Sequence, residues 1–136
     1  MTSFDLSLLA TDRKFYTGPC ESLIVPAIDG EYGILANHEP VVLALNAGEL
    51  RYTVGGKTEV LAVGDGFVKV TENQVVVLTD FAERADEIDL LRAETAKKRA
   101  EERIRARRDA LAVAHAQAAL ARAVARIKVY SVSQHH

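Results

Sequence analysis

Leu78-Thr79-Asp80-Phe81-Ala82-Glu83-Arg84-Ala85-Asp86-Glu87-Ile88-Asp89-Leu90 is the stretch at which the chain changes character. All eight glycines and all three prolines lie before residue 67, and fourteen alanines stand from Ala85 onward. Residues 1–84 carry 6 Lys+Arg against 12 Asp+Glu, whereas residues 85–136 carry 11 against 7. A Gly-punctuated acidic half is followed by an Ala-rich basic half. Glycine and proline punctuate short extended segments, while Ala, Leu, Glu, Lys and Arg favour continuous helix.

Working back from that boundary, residues 1–84 read as β-structure. Phe4, Leu6 and Leu8 alternate with polar residues, the period of a strand with one buried face. Leu23-Ile24-Val25 is a short apolar run closed by Pro26. Leu50 to Val54, Gly55-Gly56 and Thr58 to Val63 form a hairpin pattern. Gly64-Asp65-Gly66 reads as a turn. Phe67 to Val70, Glu72-Asn73 and Val75 to Leu78 form a second hairpin pattern. Many short strands with regular turns predict a sandwich or barrel.

Working forward, residues 85–136 read as helix. Asp86, Glu87 and Asp89 cluster where a helix N-terminus favours negative charge, with Asp86 the expected N-cap and Asp89 its capping-box partner. Leu90, Ala93, Ala100 and Ile104 form one apolar stripe; Val113, Ala116, Leu120, Val124 and Ile127 form another. Each helix would run ~20 residues, or ~30 Å. Arg105 to Ala110 contains no Gly or Pro, and Asp109 is its one obvious N-cap, so the pattern allows either a hairpin or one continuous helix.

The 136 residues suit one domain, or one domain with an appendage. A net charge of −2 does not mark the whole chain as a nucleic-acid binder. The Arg105, Arg107, Arg108 run lacks the interleaved aromatics that would stack on bases. One cysteine, Cys20, allows no internal disulfide and fits a reducing compartment. The N-terminus has no apolar run of signal-peptide length, and Val41 to Leu45 falls far short of a membrane span. No direct membrane insertion is expected, so membrane association would run through a partner.

Catalytic motifs fail on inspection. Gly55-Gly56-Lys57-Thr58 resembles the tail of a phosphate-binding loop, but Arg51 stands where its first glycine belongs, and a hairpin surrounds it. His38, His115, His135 and His136 have no partners at metal-ligand spacing, and His135-His136 reads as a disordered tail. No serine occupies a nucleophile elbow. No catalytic residue, catalytic cofactor or metal ligand is expected.

One constellation survives. Asp89, Arg92, Ala96 and Arg99 are spaced 3, 4 and 3, so they share a helix face; Arg122 and Arg126 share another. Folded antiparallel, the two helices would bring these arginines together. Guanidiniums are forked, permanently charged donors suited to phosphate oxygens. Ile88 and Leu91 would offer apolar surface for a base, and Asp89 a polar acceptor. The competing reading is an ordinary solvated basic face, with Asp89 only a helix-start residue.

At this point the residues resemble a family, the epsilon subunits of F-type ATP synthases (called delta in mitochondria), along essentially the full length. The matching stretches are Asp29-Gly30-Glu31-Tyr32-Gly33-Ile34-Leu35-Ala36-Asn37-His38-Glu39-Pro40, Leu45-Asn46-Ala47-Gly48-Glu49-Leu50, Gly66-Phe67-Val68-Lys69-Val70, and Leu78-Thr79-Asp80 continuing through Ala85-Asp86-Glu87-Ile88-Asp89. Ala36 stands where many members have Pro, and the inter-helix turn lacks a Gly seen in some. The resemblance implies an α+β protein by segregation: an N-terminal β-sandwich, residues 1–84, followed by a C-terminal antiparallel two-helix hairpin, residues 85–136.

It also implies partners. The sandwich would sit against the gamma subunit and the c-ring, with Glu31 and His38 on a Gly-rich loop as the c-ring contact. The helices would extend toward the alpha and beta subunits to block ATP hydrolysis and fold down to release the motor. The location implied is peripheral, on the cytoplasmic side of a bacterial cell membrane, through the complex. Ile88-Asp89-Leu90-Leu91-Arg92-Ala93 is similar to the family's regulatory ATP motif. Glu83, Ile88, Asp89, Leu91, Arg92, Ala93, Arg99, Arg122 and Arg126 are the ATP-site residues it implies. A salt-bridged hairpin interface without ligand is the alternative at those positions. For the chain as a whole, the alternative is a free-standing β-sandwich adaptor with a helical partner-binding arm.

Overall fold

The computed structural model describes residues 2–134, so the His135-His136 tail lies outside the described residues. Ten strands come first: β1 (Phe4–Ala10), β2 (Arg13–Cys20), β3 (Ser22–Ala27), β4 (Gly30–Leu35), β5 (Val41–Leu45), β6 (Gly48–Val54), β7 (Lys57–Val63), β8 (Gly66–Thr71), β9 (Gln74–Thr79) and β10 (Ala82–Arg84). A 3-10 turn, Ala85–Glu87, leads into α1 (Leu90–Ala106) and α2 (Ala110–Ser133). The strands run in the order β10-β7-β6-β3-β5-β8-β9-β1-β2, with β4 paired to β3. All pairings are antiparallel except β1 with β9.

The sheet folds over on itself as a sandwich around one core. Phe4, Leu6 and Leu8 on β1 meet Leu23 and Val25 on β3, Leu50 on β6, Leu61 on β7 and Val68 on β8. The period-2 pattern dictates this, because every second side chain of each strand must face one side. Both predicted hairpins form. Gly55 and Gly56 have φ of 58° and 77°, the two positive angles a tight hairpin turn requires, so the phosphate-loop look-alike is a turn.

Four details differ from the sequence reading. Pro26 does not close β3; it pairs with Glu31 of β4, and its carbonyl accepts from Asn46 N at 2.9 Å. Gly30–Leu35 is a strand, so Glu31 sits in a ladder rather than on a loop. The helix does not start at Asp86: Glu87 turns back to accept from Arg84 N at 2.8 Å, and Ile88 is extended. Asp89 is the N-cap instead, accepting from Arg92 N at 3.0 Å. On α2, Val124 is exposed while Ala123 and Ala125 are buried, because α2 packs on α1 along one side and on the sheet along another.

The hairpin alternative prevails over one continuous helix. Arg107 adopts the left-handed conformation, with φ 46° and ψ 48°, and ends α1 without a glycine. Asp109 restarts the chain as N-cap of α2, accepting from Ala112 N at 2.7 Å. The hairpin then docks on the sandwich through a second apolar cluster, Ala62, Ile88 and Val129, flanked by Val60, Phe81, Ala85 and Tyr130. Several of these side chains are small. At about 25 cal/mol per Å² the docking surface stabilises modestly compared with the sandwich core.

Candidate functional site

The seam between hairpin and sandwich holds a cavity of about 440 Å³. Its lining comes from three places in the chain. Glu83 lies on β10 and Glu87 in the 3-10 turn. Asp89, Arg92, Ala93 and Ala96 come from the start of α1, and Ala119, Arg122, Ala123 and Arg126 from α2. Ala93 and Ala123 are buried and bring the two helices close, leaving arginine side chains to shape the opening.

The charges within this lining are unequally committed. Arg126 donates through Nε to Glu83 Oε1 at 2.7 Å and through Nη2 to Oε2 at 3.4 Å. Glu87 accepts from Arg13 Nη1 at 2.8 Å and Nη2 at 3.0 Å. Asp89 is engaged as the cap of α1. All three carboxylates thus have internal donors. Among the described residues, Arg92 and Arg122 have no ion-pair partner. The cavity is thus lined by two uncommitted guanidiniums, forked donors of the kind that suit an anion, with Arg126 held at its edge by Glu83.

Hydrogen bonding from Arg13 holds the Glu87 carboxyl down at about 2, helped by Arg84 N and opposed by desolvation. A depressed carboxyl contributes stability that is fully present above about 4.5 and lost as pH falls toward about 2. The thermal-stability advantage of the unaltered chain over Glu87→Gln should be present at pH 7 and vanish across that acid window. A constant difference from pH 7 to pH 2 would contradict the assignment.

The structure brings together Glu83, Asp89, Arg92, Ala93, Arg122 and Arg126, and leaves three expected residues outside. Ile88 is buried against Ala62 and Val129, so its side chain is spent on docking and offers no surface to a base. Leu91 is exposed and does not line the cavity. Arg99 lines a separate cavity near the hairpin tip with Glu102, Arg103, Ala106, Arg108 and Ala112. Sequence reasoning missed Glu87, Ala119 and Ala123. The two alanines carry a usable signal, since 119, 122, 123 and 126 repeat at 3, 1 and 3 along one face. Glu87 carries none, because its partner Arg13 lies 74 residues away.

At the other candidate contact, Arg51 pairs with Glu31 at 2.8 Å and also with Glu49. The hydrogen bond from Arg51 holds the Glu31 carboxyl below its usual range. His38 is half-buried, with Nε2 3.0 Å from Tyr32 Oη and Nδ1 donating to Glu39 O at 2.7 Å. Glu31 and Tyr32 are successive residues of β4 and face opposite sides of the strand. Arg51 thus holds Glu31 on the exposed side, while Tyr32, packed on the core, holds His38.

A sheet-built base bearing a docked two-helix arm, with an arginine-lined seam between them, defines a two-part protein of segregated sheet and helices. Residues 3–85 match the family model of the ATP synthase delta/epsilon chain β-sandwich domain, and residues 86–131 match that of the delta/epsilon chain long α-helix domain. The chain belongs to the ATP synthase delta/epsilon chain family. It is 45% identical over 127 residues to the ATP synthase epsilon chain of Ruminiclostridium cellulolyticum, covering 93% of this chain and 95% of that one. It is 40% identical over 136 residues to that of Symbiobacterium thermophilum, covering 99% and 98%. A chain of the Euglena gracilis mitochondrial ATP synthase, solved as an OSCP/F1/c-ring assembly, shares the fold with a TM-score of 0.81. That likeness is at 24% identity and covers 99% of this chain and 83% of the other.

Proposed function

We propose that this chain is a non-catalytic central-stalk subunit of a rotary ATP synthase, whose folded-down hairpin holds ATP as a regulatory ligand. The observation that carries the ligand reading is the cavity shared by Arg92, Arg122 and Arg126, drawn from both helices. The stalk role is supported by family membership and by epsilon-chain relatives that match nearly end to end.

Physical linkage follows from the geometry. A ligand shifts a conformational equilibrium only through differential affinity. The three arginines face one space only while α1 and α2 lie side by side on the sandwich, so ATP favours that state. At 100 times its Kd, ATP would stabilise it by about 2.7 kcal/mol. That is enough to matter against a docking surface as small as the Ala62, Ile88 and Val129 cluster. Extended away from the sandwich, the same helices would reach toward the alpha and beta subunits and restrain hydrolysis.

Gamma and the c-ring would sit against the sheet, with Glu31 and His38 as the c-ring contacts. No described helix is long and apolar enough to cross a membrane. Attachment to the cytoplasmic face of a bacterial membrane would come through the c-ring.

Isothermal titration of the full chain with ATP is the direct test. Absence of binding up to millimolar ATP would remove the sensor role and leave the stalk role standing. Co-purification with gamma, alpha and beta subunits tests the stalk role and separates it from a free-standing adaptor. A fragment of residues 1–86 should fold and assemble, because the main core draws on no helix residue. Complexes carrying that fragment should hydrolyse ATP with less restraint than complexes carrying the full chain. Equal hydrolysis rates would remove the inhibitory role.

A further inference from the structure

We propose that Phe81 is a positioning residue for the Arg126 guanidinium, an inference that rests on the reading of the seam cavity as a nucleotide site. Phe81 does not line the cavity. It lies behind Arg126, whose Cζ stands 3.9 Å from the ring centroid, well inside cation–π range.

Two contacts fix different degrees of freedom of the guanidinium. The bonds from Nε and Nη2 to Glu83 engage one edge of the fork and set its direction within its own plane. They leave the plane free to tilt about that edge. A ring face 3.9 Å from Cζ restricts that tilt through its contact with the guanidinium carbon. Nη1, which makes no hydrogen bond among the described residues, is then held in a fixed direction for an incoming phosphate oxygen. A guanidinium set before the ligand arrives loses less freedom on binding.

Phe81 is itself held from below. Its carbonyl accepts from Gly64 N at 3.1 Å and from Thr79 Oγ1 at 3.1 Å. Thr79 is buried, and its single hydroxyl proton lies between Phe81 O and Gly64 O, the latter at 3.0 Å, while Oγ1 accepts from Gly64 N at 3.0 Å. A Cβ added at Gly64 would come within 2.8 Å of Phe81 Cδ1, so the ring rests on a residue that has no side chain. The ring's remaining surface packs on the Ala62, Ile88 and Val129 cluster. The short bend between β9 and β10 thereby orients a charge on α2.

The test is titration of the full chain with ATP and, separately, with inorganic tripolyphosphate. Phe81→Leu keeps apolar volume and removes the ring face; it should weaken both ligands about 2- to 30-fold. Phe81→Tyr keeps the face and should bind like the unaltered chain. In an Arg126→Ala background, Phe81→Leu should cause no further loss, because its effect runs through that guanidinium. Unchanged affinity in Phe81→Leu overturns the inference, as does an equal loss in both backgrounds. Should Phe81→Leu not fold, Phe81→Met makes the same comparison with the same outcomes. Absence of ATP binding by the unaltered chain overturns the nucleotide reading and this inference with it. Binding that ignores Phe81 overturns this inference alone.

Discussion

Arg126→Ala should weaken ATP binding to the isolated chain and loosen the hairpin that binds it. The two effects have separate causes. Losing one charged hydrogen bond to a phosphate costs about 1–3 kcal/mol, or roughly 5- to 150-fold in affinity. Loosening arises without ligand, because Glu83 would lose the donor that its partly buried carboxylate holds at 2.7 Å. Exposed pairs are worth about 0–1 kcal/mol, and breaking buried ones costs about 3–5 kcal/mol. At 28% and 29% side-chain exposure this pair belongs between them, at roughly 1–2 kcal/mol. Amide exchange across residues 110–133 without ATP should accelerate, while exchange in β1, β8 and β9 should not. Arg122→Ala separates the causes, since Arg122 has no ion-pair partner among the described residues: it should weaken ATP and leave exchange unchanged. Identical titrations for the unaltered chain and both variants would remove the site.

The second large effect falls on the sandwich. Gly66 pairs with Thr79 across β8 and β9. A Cβ there would lie 1.8 Å from the Leu78 carbonyl oxygen and 2.8 Å from Thr79 Cα. Those are backbone atoms in a ladder, so no side-chain rotation relieves the clash. Gly66→Ala should destabilise the sandwich by about 3 kcal/mol through overpacking. For a domain of this size that lowers Tm by roughly 10–20 °C. Thr79 also anchors Gly64 and Phe81, so the linker and hairpin should loosen with it. Gly33→Ala is the matched control: a Cβ there meets nothing within 4 Å, and the melting temperature should barely move. Equal melting curves for the two variants would show that the β8–β9 approach is not close in solution.

Much of this architecture was legible before any coordinates. Alternation at Phe4, Leu6 and Leu8, the Gly55-Gly56 turn and the loss of Gly and Pro after residue 66 each act through neighbours only a few residues away. Asp109 likewise carries its own instruction, since an N-cap needs only the amide three residues on. Local chemistry of this kind survives in a one-dimensional string.

What the string could not carry was distance between remote parts. Sequence alone determined a sheet-forming half, a helix-forming half and a set of arginines on matching helix faces. Tertiary structure decided which arginines meet. Arg92 and Arg99 are seven residues apart, so they share a face but stand about 10 Å apart along the axis. Only the packing of α2 and β10 beside the start of α1 puts Arg92 with Arg126 and sends Arg99 toward the tip. In the same way, Arg13 reaches Glu87 across 74 residues and delays the first helix. Ile88, apolar and available on paper, is consumed in docking the hairpin. Helical spacing fixes an angle, whereas a binding site needs a position, and position comes from the contacts of the folded chain.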